Sequence, residues 1–193
     1  MTLSPDRSGS EASERAAAGQ GLYPPTFYMI VLIVFAADQF SKNWIQKTLL
    51  YEQSRSIFGN SFLLTLTHNT GGAWGLAPHG NPMFIGFALL AVVALLFAYH
   101  RMARTEPLVG GAFALALGGA FGNLLDRLRY GYVVDFFDAR IIHWPIFNIA
   151  DSAITLSIVL LLLHFVRSSR SEETHQTVAN SATVEEASRP PLE

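Results

Sequence analysis

Four apolar runs separated by polar stretches organise this chain. The first, Phe27 to Ala37, is opened by Pro24-Pro25 and meets Asp38 after only eleven residues. A membrane span needs about 20 residues, so this helix is expected to continue through Asp38, Gln39, Ser41, Lys42 and Asn43. Asp38 and Lys42 lie four apart and can pair on one face. The second run, Met83 to Tyr99, carries no charge over seventeen residues. The third, Pro107 to Leu125, is also uncharged and contains Gly118 and Gly122, a small-xxx-small pair that lets helix backbones approach closely. The fourth, Ser152 to Val166, follows Asp151 and reaches spanning length if it begins near Pro145. The predicted spans are about 26–46, 82–100, 107–127 and 146–167.

Between the runs the pattern changes. Residues 47–80 are polar and broken by Gly and Pro, and Ser61 to Thr67 alternates strand formers in a way that predicts a short strand. Three glycines in His68-Asn-Thr-Gly-Gly-Ala-Trp-Gly75 predict a turn or tightly packed loop. Residues 1–24 and 169–193 lack periodicity and are read as disordered tails around a membrane domain at 25–168. The N-terminal stretch has no basic n-region beside a short apolar h-region. Four spans place 47–80 and 128–146 on one membrane face and both termini on the other. Arg101, Arg104, Arg167 and Arg170 favour cytoplasmic termini by the positive-inside rule.

Composition agrees with this pattern and narrows the chemistry. Charged residues make up 15% of the chain and mean hydropathy is +0.30, where soluble domains carry about 25% charge. Cysteine is absent, which removes thiolate nucleophiles and Cys-type metal sites. The six histidines show no ligand spacing, so neither a metal nor a cofactor is expected. A net charge of −2 gives no reason to expect a nucleic-acid partner.

The acids are concentrated. Seven of the fifteen lie outside the tails, and four of those seven, Asp126, Asp135, Asp138 and Asp151, fall between Gly122 and Asp151. Ionisable groups at the edge of hydrocarbon are costly and mark functional sites by default. Two aspartates converging in a partly dry site do not both ionise readily. Such a pair activates water with one carboxyl and protonates a leaving group with the other. Residue by residue, any two of the four acids could form it. Asp38 and Asp126 read more simply as structural, and Asp138 as a solvated loop acid. Asn123, Asp126 and Arg127 share a helix face, and Asn148 lies three residues before Asp151; Arg127 is placed to hold Asp126 or to meet substrate or a lipid phosphate. A Ser41–Lys42 dyad is disfavoured because adjacent helical residues do not face each other.

Three blocks carry a resemblance: Gly119-Ala-Phe-Gly-Asn-Leu-Leu-Asp-Arg127, Tyr132-Val-Val-Asp-Phe136 and Phe147-Asn-Ile-Ala-Asp-Ser-Ala-Ile154. With Asp38-Gln39, Lys42 and the Asn69–Gly75 loop, in order over roughly 25–168, they resemble the signature blocks of the signal peptidase II (lipoprotein signal peptidase) family. The resemblance implies an all-α polytopic membrane protein with four transmembrane helices, a small extracytoplasmic β-cradle and a short periplasmic helix built largely from 47–80. It places the catalytic pair on Asp135 and Asp151, which the residues alone left undecided. It puts Asn69, Asn123, Arg127 and Asn148 at the substrate site, and gives Asp38, Lys42 and Asp126 structural roles. The implied activity is an aspartic endopeptidase of the bacterial inner membrane, with its active site near the extracytoplasmic face. Its substrate would be a diacylglyceryl-modified prolipoprotein, cut just before the lipidated cysteine. The expected partners are that precursor and membrane lipids, with the chain itself a monomer. A proton-coupled transporter is the competing class. It would call for inverted repeats and acids spread across the membrane, and neither is present in the sequence.

Overall fold

The computed structural model describes residues 22–71, 81–102 and 106–187. Four long helices cross the bilayer by length and composition: α1 (Pro24–Thr48), α2 (Asn81–Met102), α3 (Pro107–Tyr130) and α4 (Ile149–Ala187), the last spanning over Ile149–Ser169. Proline opens α1 and α3 in the first turn, where its missing N–H costs nothing. Gly131 closes α3 in the left-handed conformation at φ 79°, its N–H bonding the Arg127 carbonyl at 3.1 Å. α1 runs straight through its charged residues because they neutralise one another inside the bundle, with Lys42 Nζ 2.8 Å from Asp38 Oδ2.

α3 is the central helix. Half of its span is buried, against 11–17% for the other three. Glycines permit this packing. A Cβ on Gly118 would lie 2.8 Å from Val34 Cβ of α1, and one on Gly119 would lie 2.5 Å from the Ala150 carbonyl oxygen of α4. The helix core gathers Phe27, Val31, Val92, Tyr99 and Leu117, with the Phe27 and Tyr99 rings stacked at 3.5 Å. The remaining apolar side chains of the spans, such as Leu89, Leu90, Val93 and Phe97 on α2, are exposed and form the lipid-facing surface.

The α1–α2 and α3–α4 connections meet at one end of the bundle in a three-stranded antiparallel sheet of order β1-β2-β3. β1 is Ser54–Phe58, β2 is Phe62–Asn69 and β3 is Val133–Asp138. The predicted strand at 61–67 is therefore β2. In register, Thr67 faces Asp135 and Asn69 faces Val133, which sets Asn69 and Asp135 diagonally on one face. A second core of Ile45, Leu49, Leu66, Val134 and Phe136 ties the sheet to the end of α1.

Two features differ from the sequence reading. Asp138 is a buried strand residue and no solvated loop acid: it accepts from Thr65 Oγ1 at 2.8 Å and from Arg140 Nε at 2.9 Å. The backbone stays helical to Ala187, where a disordered tail is predicted from 169; no Gly or Pro interrupts it before Pro190. Of the stretch 47–80, expected to supply a short helix, 72–80 lie outside the described residues, as do 1–21. The short helix among the described residues is a 3₁₀ turn at Arg140–Ile142.

Candidate active site

Asp135 and Asp151 reach the same site from different elements. β3 carries Asp135 into the interior, where it is 1% exposed. Its Oδ2 accepts from Asn69 Nδ2 at 2.9 Å and its Oδ1 from Asn148 Nδ2 at 2.6 Å. Asp151 lies in the first turn of α4 and accepts from Asn123 Nδ2 at 2.8 Å. Asn148 precedes the helix and forms a reciprocal cap with Asp151. The Asp151 N–H donates to Asn148 Oδ1 at 2.9 Å, and the Asn148 N–H donates to Asp151 Oδ2 at 3.3 Å. One fully buried asparagine thus orients Asp151 through its oxygen and backbone, and Asp135 through its amide nitrogen.

Burial, and then the Asp151 charge, push the Asp135 carboxyl up to about 7, against the opposing pull of Asn69, Lys42 and Asn148. The cleft beside the pair has a volume of about 260 Å³ and is lined by Asn69, Arg127, Asp151 and the apolar Trp144, Ile146 and Ile154 among others. Asp151 opens onto it, while Asp135 lies behind. A larger apolar hollow of about 460 Å³, between Tyr28, Val31 and Phe35 of α1 and Phe121, Leu124 and Leu128 of α3, contains no acid.

The supporting polar residues fall into two groups. Asn69 and Asn123 each bond one of the two aspartates directly, and Asn148 bonds both. Arg127 faces the cleft and makes no ion pair with Asp126. Its guanidinium reaches the Asn123 and Gly71 carbonyls at 3.4 Å and lies over the Phe84 ring at 5.2 Å, and its Nε has no acceptor among the described residues. Asp38, Lys42 and Asp126 form a buried cluster behind the aspartates, with Lys42 Nζ 2.9 Å from Asp126 Oδ2 as well as bonded to Asp38. Ser41 turns back to the Asp38 carbonyl, so no Ser–Lys pair exists.

Gln39 has a part that its sequence position did not disclose. Its Nε2 donates to Asp126 Oδ1 at 3.0 Å and to Asp38 Oδ2 at 3.2 Å, holding the two acids together. Two backbone donors were equally invisible: Ala150 N–H bonds Asp38 Oδ1 at 3.0 Å, and Val134 N–H bonds Asp126 Oδ2 at 3.1 Å. The available signal for Gln39 was a polar residue at membrane depth next to an acid.

The family described as Signal peptidase (SPase) II matches residues 30–167. A lipoprotein signal peptidase of Moorella thermoacetica is 44% identical over 135 residues, covering 70% of this chain and 89% of its own. One from Caulobacter vibrioides is 40% identical over 156 residues, covering 78% and 92%. Among solved structures, a bacterial membrane enzyme determined by the in meso method at 2.3 Å resolution superposes with a TM-score of 0.74 at 29% identity, covering 78% of this chain and 93% of that one. A second, at 1.9 Å resolution, gives 0.70 at 30% identity, covering 76% and 96%.

Proposed function

The chain belongs to the signal peptidase II family, and from that premise we propose that it removes the signal peptide from diacylglyceryl-modified prolipoproteins, with Asp135 and Asp151 as an aspartic catalytic pair. The observation that carries the aspartic reading is the shared Asn148. It holds both carboxyls in one constellation, one buried and one open to the cleft.

The chemistry follows from a pair that keeps one proton. Asp135, pushed up to about 7, is the member that holds it at rest. The Asp151 carboxylate takes a proton from a water, whose oxygen attacks the carbonyl carbon of the peptide bond before the lipidated cysteine. Asp135 gives its proton to the carbonyl oxygen as the tetrahedral intermediate forms. Collapse breaks the C–N bond: the cysteine amine takes the proton held by Asp151, and a hydroxyl of the gem-diol returns a proton to Asp135 as it becomes the new carboxyl, so the pair again holds one proton. Asn123 and Asn69 keep the carboxyls aimed. Arg127, whose side chain lines the cleft, binds a substrate carbonyl.

This multi-pass architecture suits a lipid-anchored substrate. The cleft wall includes Ile154 and Thr155 of the α4 span, so a scissile bond can enter from the bilayer while the acyl chains stay in lipid. The orientation that fits has cytoplasmic termini, with sheet and cleft at the extracytoplasmic face, and the chain acts as a monomer.

The test offers purified protein in detergent two precursors, one diacylglyceryl-modified and one unmodified, with products resolved by gel shift. Cleavage of the modified form alone is expected. Equal cleavage of both, or of neither by folded protein, would overturn this substrate assignment.

A further inference from the structure

Lys42 is 2% exposed, yet the reaction as drawn above does not use it. A lysine ammonium has three donors and no acceptor. Here the ammonium meets three oxygens: Asp38 Oδ2 at 2.8 Å, Asp126 Oδ2 at 2.9 Å and Asn123 Oδ1 at 3.0 Å. Each of these residues makes one further bond towards the aspartate pair. Asp38 accepts the N–H of Ala150, the residue before Asp151. Asn123 donates to the Asp151 carboxylate itself. Asp126 accepts the N–H of Val134, the residue before Asp135.

We propose that Lys42 is a positioning residue for the catalytic pair: one ammonium, gripped by three oxygens, sets the relative placement of the α4 start, the Asp151 carboxylate and the strand that carries Asp135. This rests on the peptidase reading. The three legs differ in what they fix. The Asp38 leg places the first turn of α4. The Asn123 leg fixes an amide orientation, because both Lys42 and Asn148 donate to Asn123 Oδ1, which leaves its nitrogen facing Asp151. The Asp126 leg pins β3 against α3.

Stability alone is a poor reason for such a cluster. Buried ion pairs recover little more than their own desolvation cost, and apolar residues of similar volume often stabilise as well. Fixing one register among several is the better-attested use. Four elements, α1, α3, α4 and β3, meet through this single group, and the reaction needs two of them aligned.

The charges that act on Asp135 are those of Asp151 on α4, Arg127 on α3 and Lys42 on α1, the last paired with Asp38 and Asp126. The lysine charge pulls Asp135 down against burial and Asp151. Charge and geometry therefore separate experimentally.

The experiment measures cleavage of the diacylglyceryl-modified precursor by wild type, Lys42→Arg and Lys42→Gln across the pH range, with folded fraction followed by thermal unfolding in detergent. In Lys42→Gln, kcat is expected to fall about 100-fold, the scale of an ångström of misplacement, with KM little changed and the alkaline limb set by Asp135 moved upward. In Lys42→Arg the retained charge leaves that limb in place while kcat stays low, because a planar fork does not put three donors on three converging oxygens. Should Lys42→Gln not fold, Lys42→Arg is combined with Asn123→Ala. Action through a shared leg predicts a double variant little worse than either single one. Full activity in Lys42→Arg, a kcat loss that only tracks the folded fraction with an unmoved limb, or additive losses would overturn the proposal. Wild type that fails to cleave removes the peptidase reading and this one with it; wild type that cleaves beside unaffected variants removes only this one.

Discussion

Replacing Asp135 with asparagine should make the protein less stable in acid and more stable in mild alkali. In the folded protein the carboxyl sits at about 7, raised from 3.8 by burial and by Asp151. A raised carboxyl contributes stability that is complete below its unfolded value and lost as pH rises through the folded one. The loss is about 1.4 kcal/mol per pH unit between those values. Over roughly three units it reaches about 4 kcal/mol and then levels off. The amide escapes this cost but has one acceptor oxygen. Asn69 and Asn148 both donate to residue 135, so one of them is left facing an NH₂ group, at a cost of about 2 kcal/mol. The variant should therefore be less stable than wild type by about 1–2 kcal/mol near pH 4. The two should cross near pH 5, and the variant should gain about 2 kcal/mol, or a few degrees in Tm, near pH 8. Thermal unfolding of both proteins in one detergent at those pH values is the assay. A difference between them that stays constant with pH, or that grows in the opposite sense, would refute the placement of a neutral, buried carboxyl at 135.

Gly122→Ala should be destabilising beyond the usual small effect of adding a methyl group, because the new Cβ would meet the Asp38 carboxylate. Overpacking of this kind costs about 1–3 kcal/mol, and a lowered Tm in detergent reads it; an unchanged Tm would show that α1 does not pack so closely on α3. Asn148→Ala removes the α4 cap and the amide bonded to Asp135 together. The expected loss is about 2 kcal/mol from the cap and the bond to Asp135, with a fall in kcat larger than the loss of folded protein explains. Activity that simply follows the folded fraction would contradict the bridging role.

Much of this site was legible because the relevant signals were local. Asp38 and Lys42 sit four apart on one helix and pair as expected. Gly118 and Gly122 predicted a close helix approach, and α1 lies against both. Asn148 and Asp151 are three apart at a helix start, the spacing of a reciprocal cap. What escaped were contacts across the chain. Asp138 looked like a solvated acid because nothing near it in sequence discloses Thr65, which pairs with it across the sheet. The strand β1 was missed because all five of its residues are exposed and carry no burial pattern. Gln39 and the Val134 and Ala150 N–H groups acquire their roles only once α1, α3, β3 and α4 are assembled. Residue types alone left the aspartate pair open among four acids; the fold buries Asp135 and sets it beside Asp151, and holds Asp126 and Asp138 in other bonds.

The most direct measurement is single-turnover cleavage of the diacylglyceryl-modified precursor by Asp135→Asn, Asp151→Asn and, as a control buried acid, Asp138→Asn, each shown to be folded. Asparagine at 135 or 151 should abolish cleavage, since either change leaves the pair without its base or its acid. Asparagine at 138, which bonds Thr65 and Arg140 away from the cleft, should retain it in proportion to folded protein. Appreciable turnover by either Asp135→Asn or Asp151→Asn would contradict the aspartic mechanism.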